Sequence, residues 1–138
     1  MSVIVWASDG SESAGQALPW AVEEARARDA TLLALHVEEI VATRGGVQEI
    51  EGDETQRIAQ LQEKTAAAAE AGVKCEVRVA RQTIGGAAQA IADVAREEEA
   101  MMIVVGTRGM GPVKGLLVGS VTQRLLHIAS CPVLVIPA

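Results

Sequence analysis

The residues best suited to chemistry lie between Gly106 and Thr122, in the stretch G-T-R-G-M-G-P-V-K-G-L-L-V-G-S-V-T. Five of the chain's 13 glycines fall there, where a missing Cβ lets the backbone come close to a ligand. The apolar run Met101 to Val105 before it reads as a strand, and a helical pattern follows. Ser120 and Gln123 have the spacing of a capping box at that helix's start. A glycine-rich link from a strand to a helix N-terminus presents backbone N–H groups to an anion, and phosphate is the usual one. Two better-known forms of such a loop are excluded. No G-x-x-x-x-G-K-[ST] can be drawn through it, and Lys114 stands where a dinucleotide fingerprint beginning at Gly109 and Gly111 has its third glycine. What remains is Gly106-x2-Gly109-x9-Gly119-Ser120. The thirteen residues after Gly106 are long for a plain connection, which favours a ligand over a turn in which Ser120 is only an N-cap.

Other reactive side chains are few. Asp9, in Ser8-Asp9-Gly10-Ser11, suits an Asx-turn that holds the chain at Gly10, a role compatible with ligand binding. His36 lies in an apolar run with no acid or thiol near it in sequence and reads as a core or strand-end histidine. His127 reads as a surface one. Two histidines and two cysteines assemble no nucleophile–base pair and no metal-ligand spacing. Cys75 and Cys131 are expected as reduced thiols, with Cys131 a small packing residue. Met101, Met102 and the Met110 side chain are expected to pack.

These groups must be positioned by an alternation of strands and helices. Val3 to Ala7 is continuously apolar, as a strand buried on both faces is. Leu18, Ala21, Val22 and Ala25 then follow at helical spacing, with Pro19 among them predicting a kink or a late start. Thr31 to Val37 reads as a second buried strand. No clear period runs from Glu38 to Gly52, which predicts a mobile loop or flap. Ile58, Leu61, Thr65, Ala68 and Ala69 mark the inner side of a second helix, ended by Gly72 at C′. Val73 to Ala80 alternates apolar with polar, the mark of a half-exposed strand at or near a sheet edge. A third helix runs from about Gly86 to Glu99, with Ala87, Ala88, Ile91, Val94 and Ala95 inward and Glu97-Glu98-Glu99 as a solvated face. Met101 to Val105, a short helix from Ser120 to Ala129, and a strand from Pro132 to Ile136 complete a βαβαβαβαβ order. That order predicts an α/β fold with a mostly parallel sheet and helices on both faces.

Composition bounds the partners. At 138 residues the chain is expected to be one domain with a core of its own. With two Trp and no Phe or Tyr, it has no aromatic platform for single-stranded nucleic acid. A net charge of −6 argues against nucleic acid and anionic membrane alike. No apolar stretch approaches the roughly 20 residues of a membrane helix. The strand pattern begins at Val3, leaving no room for a signal peptide. A soluble cytoplasmic protein is expected.

The loop spacing resembles that of the universal stress protein family, in particular its nucleotide-binding branch, whose loop reads G-x2-G-x9-G-[S/T]. The resemblance covers essentially the whole chain: the start V-I-V-W-A-S-D-G-S, the second strand L-L-A-L-H-V, the loop, and the end C-P-V-L-V-I-P. It implies a single Rossmann-like domain, of the adenine nucleotide alpha hydrolase kind, with an open parallel five-stranded sheet in the order 3-2-1-4-5. It also implies ATP in the crevice and a homodimer. The alternating third strand then falls at an edge, and the topological switch lies between strands 1 and 4, where open α/β sheets bind ligands. Asp9 and Gly106, singled out for separate reasons, would flank it.

On this resemblance the nucleotide is expected to meet Asp9, Val37, Gly106, Arg108, Gly109, Met110, Gly111, Gly119, Ser120, Val121 and Thr122. Gly106 and Gly109 would admit ribose and phosphates, and residues 119–122 would offer N–H groups, with hydroxyls from Ser120 and Thr122. Asp9 would lie at ribose or base, and Val37 at the adenine edge through its backbone. Arg108 and Lys114 would screen phosphate charge. Trp6 is bulkier than usual for the family and would narrow the space beneath the nucleotide. ATP would carry Mg²⁺ with it rather than meet a protein cage, with AMP or ADP as alternatives. The apolar strand 133–136 would pair two copies. The favoured function is ATP-binding regulation, with any hydrolysis or autophosphorylation slow. The alternatives are an interaction module that leaves the loop empty, and a phosphotransferase or hydrolase using Asp9 and Thr122.

Overall fold

The computed structural model describes residues 2–38, 40–43, 46–49, 54–81, 86–107 and 118–138. Its elements in chain order are β1 (Val3–Ser8), α1 (Glu12–Ala27), β2 (Thr31–Glu38), β3 (Ile40–Thr43), β4 (Gly46–Glu49), α2 (Glu54–Glu70), β5 (Cys75–Arg81), α3 (Gly86–Glu97), β6 (Met102–Gly106), α4 (Ser120–Ile128) and β7 (Val133–Ile136). The main sheet has the order β5-β2-β1-β6-β7, and every pairing in it is parallel. Counted along that sheet alone, this is the expected 3-2-1-4-5.

The central strands show why a continuous apolar run was needed. Side chains alternate across a strand, so Ile4 and Trp6 enter one layer while Val5 and Ala7 enter the other. The first layer joins α1 and α2 to the sheet through Ala17, Ala21, Ala25, Leu61 and Ala68. The second joins α3 and α4 through Ala88, Ile91, Val94, Ala95 and Leu125. Trp6 is fully buried in the α1 layer, where the alanine stripe of α1 leaves room for its ring. Its indole N–H donates to the Ala14 carbonyl at 2.9 Å, satisfying the one polar atom that burial would otherwise penalise. The bulk of Trp6 is therefore taken up under α1.

Several expectations need correction. The segment after β2 holds an antiparallel ladder, β3 with β4, running from Ile40↔Glu49 to Thr43↔Gly46. Two short runs joined by two residues, one of them glycine, are a hairpin signal, and the lack of helical period had hidden it. Helix α1 does not start late: it runs from Glu12 through Pro19 to Ala27. Pro19 lies on the exposed side, where water can serve the Gly15 carbonyl that proline leaves without a donor. In α2, Leu61, Thr65 and Ala68 are buried but Ala69 is exposed, and Thr65 is tolerated inside because its hydroxyl donates to the Leu61 carbonyl at 2.8 Å. Of the acidic run ending α3, Glu98 pairs with Arg78 on β5, while Glu97 and Glu99 stay exposed.

Three helices end alike. Val73 N–H bonds to the Ala68 carbonyl and Gly72 N–H to that of Ala69, with Gly72 at φ +87°. The same pair of bonds recurs around Asp29 after α1 and Glu99 after α3, both at φ 51°. Each motif is followed by a buried apolar residue, Ala30, Val73 or Ala100, that leads into the next strand.

Candidate functional site

The carboxyl ends of β1, β2 and β6 lie side by side, with chain leaving β1 toward β2 through α1 and reaching β6 from the other side of the sheet. Ser8 pairs with His36, and Val37 follows one residue on. Trp6 pairs with Val104, so two residues further along both strands Ser8 comes level with Gly106. This is the switch point of a doubly wound sheet, where the strand ends part and leave a crevice. Two helices begin at its rim.

The first is α1. Ser8 Oγ accepts the Gly10 N–H at 3.1 Å, and Asp9 Oδ1 accepts the Ser11 N–H at 2.8 Å. Ser11 is the N-cap, its hydroxyl accepting the Ala14 N–H at 3.2 Å. The expected Asx-turn at Asp9 is therefore present, and Gly10 takes the left-handed conformation at φ +84° that the turn requires. Asp9 and Glu12 also place negative charge against the positive end of the helix dipole.

The second is α4, whose N-cap is Gly119, with no side-chain cap hydrogen bond. Ser120 is the first helical residue rather than the cap, so the expected capping box with Gln123 does not form: Gln123 N–H bonds to the Gly119 carbonyl as an ordinary first helical bond, at 2.9 Å. The first turn of α4 carries no acidic residue. Ser120 and Val121 are exposed, and Thr122 is buried.

Gly106 is a glycine for a reason its sequence position did not reveal. A Cβ there would lie 2.7 Å from the Ser13 carbonyl oxygen and 2.8 Å from its carbon, so the first turn of α1 already fills that space. Gly106 thus admits the backbone of α1 to the end of β6. Its carbonyl accepts the buried Thr122 hydroxyl at 3.0 Å. Thr122 had been expected to turn that hydroxyl to a phosphate; here its proton braces α4 against β6. Thr107, unnoticed in the sequence, bonds through its carbonyl to the Gly119 N–H and through its own N–H to the Ile136 carbonyl at 3.0 Å. A hydroxyl next to the first loop glycine was the one available hint.

Of the residues expected to line a ligand, Asp9, Val37, Gly106, Gly119, Ser120, Val121 and Thr122 all fall at this end of the sheet, on the ends of β1, β2 and β6 or the start of α4. Arg108, Gly109, Met110, Gly111 and Lys114 lie outside the described residues. Cys75 and Cys131 stand apart from the site, and burial pushes both thiols up from their ordinary range, which makes them poor nucleophiles near neutral pH. Among the described residues no group of three or more His, Cys, Asp and Glu could hold a metal ion, and no helix is long and apolar enough to cross a membrane.

The donor set fits an anion better at α4 than at α1. At α1 the Ser11 hydroxyl meets the Ala14 N–H, and Asp9 and Ser8 meet the N–H groups of Ser11 and Gly10 just before the helix. Among the described residues, the Gly119 cap gives α4 no side-chain cap hydrogen bond, and its first turn carries no acid.

A doubly wound parallel sheet with a glycine-flanked switch point defines a class of small α/β proteins. Within that class the chain belongs to the universal stress protein family, whose model matches residues 1–137. It is 38% identical over 134 residues to a universal stress protein of Thermus aquaticus, covering 96% of each chain. Among solved structures, it resembles a universal stress protein in complex with cAMP, at 26% identity and a TM-score of 0.71, covering 98% of this chain and 95% of that one. It also resembles the universal stress protein from Archaeoglobus fulgidus in complex with dAMP, at 26% identity and a TM-score of 0.68, covering 98% and 96%.

Proposed function

We propose that this chain binds an adenine nucleotide at the switch point between β1 and β6 and acts as a small cytoplasmic regulator in the manner of the ATP-binding branch of its family. The observation that carries the reading is the pair of rim helices: α1 has a serine cap behind an Asx-turn, whereas α4 starts at a glycine with no side-chain cap, level with the end of β6. The cAMP and dAMP complexes of similar proteins support an adenylate as the ligand class. ATP with Mg²⁺, ADP and AMP all fall within it. Ser120 and Val121 would supply N–H groups to phosphate, Asp9 would accept a ribose hydroxyl, and the backbone at Val37 would meet the adenine edge. Gly106 and Thr122 would hold the frame, and Arg108, Gly109, Met110 and Gly111 would complete the phosphate side. The nucleotide, when bound, would supply a charged switch whose phosphate number can be sensed; slow hydrolysis is compatible with this but not required by it.

The working unit in this reading is a homodimer paired along β7. The two edges of the sheet differ: β5 carries Glu76, Arg78 and Arg81, whereas β7 is Val-Leu-Val-Ile with three of its residues only half-buried. Charge guards an edge against pairing, and an apolar edge invites it. Isothermal titration of the purified protein with AMP and ATP tests the nucleotide reading, together with mass spectrometry of whatever small molecule co-purifies. Saturable adenylate binding that weakens in Gly119→Asp is expected. No heat of binding at millimolar ligand would sink it.

A further inference from the structure

Thr107 stands at the foot of the loop, immediately after β6, and its three hydrogen bonds are distributed unusually. In a parallel ladder a residue donates its N–H to one neighbour-strand carbonyl and accepts, on its own carbonyl, the N–H two residues further along that strand. Thr107 makes the first of these bonds in the ordinary way, its N–H going to the Ile136 carbonyl at 3.0 Å. The second bond has been exchanged. Ala138 N–H goes not to the Thr107 carbonyl but to the Thr107 side-chain hydroxyl, at 3.2 Å. The carbonyl released by that substitution accepts the N–H of Gly119, the N-cap of α4.

A side-chain hydroxyl can replace a backbone acceptor in this way because it lies within reach of the same neighbouring strand. The exchange has a consequence for the loop. The Thr107 carbonyl has two lone pairs and two candidate donors, Gly119 and Ala138; without the hydroxyl both would share that one oxygen, and a shared acceptor holds each donor more weakly. With the hydroxyl, both are satisfied, and the N-cap of α4 is pinned to the end of β6. We infer that Thr107 is a positioning residue for the nucleotide site: its hydroxyl, by taking the Ala138 N–H, leaves to Gly119 alone the backbone carbonyl that fixes the phosphate-facing end of α4. The nucleotide site is thereby coupled to the chain segment that follows β7. This inference rests on the nucleotide reading above for its effect on affinity, but not for its effect on Gly119.

The second support for α4, Thr122 to the Gly106 carbonyl, is independent of residue 107. It holds the helix to β6 when the Thr107 link is weakened, so a Thr107 variant is expected to fold and to lose placement rather than structure.

Two readouts test the inference. In Thr107→Val, which keeps the side-chain shape and removes the hydroxyl, the Gly119 amide is expected to exchange with solvent about two- to tenfold faster than in the wild type, the range one neutral hydrogen bond commands. AMP affinity, measured by titration, is expected to fall by a similar factor. Thr107→Ser, which restores the hydroxyl, is expected to recover both. Ala138→Pro removes the competing donor, so Gly119 keeps the carbonyl whether or not residue 107 has a hydroxyl; combined with Thr107→Val it is expected to restore Gly119 protection and affinity. Unchanged Gly119 exchange in Thr107→Val overturns the inference, whatever the nucleotide does. So does unchanged AMP affinity in a Thr107→Val protein whose Gly119 has become labile, or a serine variant as impaired as the valine one. If the wild type binds no AMP at all, the nucleotide reading fails by itself, and Gly119 exchange across the same variants still decides whether Thr107 positions α4.

Discussion

Helices α1 and α4 both begin at the rim of one crevice, on opposite faces of the sheet, and they begin differently. Helix α1 is preceded by Ser8, Asp9 and Ser11, each of which gives a side-chain oxygen to a nearby backbone N–H. Helix α4 is preceded by Gly119, which has nothing to give. A side-chain cap is worth about 1 kcal/mol to a helix, so leaving one end bare forgoes a stabilisation that a single serine could supply. The chain contains such a serine one position later, at Ser120, inside the helix rather than at its cap. In the proposed reading the capped end is a structural anchor and the bare end is kept open for an anion. That reading concentrates stability on one side of the crevice and binding capacity on the other.

The two ends can be separated by substitution. The largest effect is expected at the joint between them, Gly106→Ala, where the new Cβ would meet the Ser13 backbone at 2.7 Å. Overpacking against a backbone that cannot step aside costs about 3 kcal/mol, and a fall in thermal midpoint of several degrees should be evident by calorimetry. A variant as stable as the wild type would show that α1 is free to move away from β6. Next in size is Gly119→Asp, which gives α4 the kind of cap α1 already has. Gly119 is extended, at φ −68° and ψ 162°, so aspartate enters without backbone strain. Stability is expected to rise by a few tenths of a kcal/mol. Adenylate affinity is expected to drop by about tenfold or more, because the carboxylate takes the N–H groups and repels phosphate. Equal affinity in this variant would remove α4 from the site.

Ser11→Ala makes the converse change. Loss of the α1 cap should lower unfolding free energy by about 1 kcal/mol in urea, with AMP affinity unaltered. A parallel loss of affinity would mean that the two ends are not separate in function. The smallest change in stability is expected for Asp9→Asn, within about 0.5 kcal/mol, since the amide oxygen can still accept the Ser11 N–H and keep the turn. If the carboxylate also holds a ribose hydroxyl, AMP binding weakens several-fold in that variant while the fold is untouched, which titration and a melting curve together would distinguish.

Much of the architecture was legible because it rests on period and on special backbone conformations. The continuous runs at Val3 to Ala7 and Thr31 to Val37 mark strands covered on both faces, and the alternation after Val73 marks an exposed edge. Gly72 announces the end of α2 through its φ of +87°. The matching ends at Asp29 and Glu99 were hidden, because those residues enter the left-handed region at a cost of about 1 kcal/mol that only burial of Ala30 and Ala100 behind them offsets. The β3–β4 ladder was hidden as well, since so short a pairing leaves hardly any period to detect.

At the site itself, local chemistry determined Asp9 and its turn, as Asx-turns are made by a residue and its near neighbours in the chain. The spacing of Gly106, Gly109 and Gly119 and the likeness of the whole chain pointed to the right family, and the resemblance placed the expected ligand at the switch-point end of the sheet. Three things needed tertiary structure. The space beside Gly106 belongs to Ser13, ninety-three residues earlier in the chain. The Thr122 hydroxyl donates to the Gly106 carbonyl, and Thr107 divides its bonds among Gly119, Ile136 and Ala138. Each is a contact between segments distant in sequence, and such contacts leave no periodic trace. What the amino-acid order determined alone was which backbone could bend and which face could bury; which atoms then met was decided only when β1, β6 and the two rim helices came together.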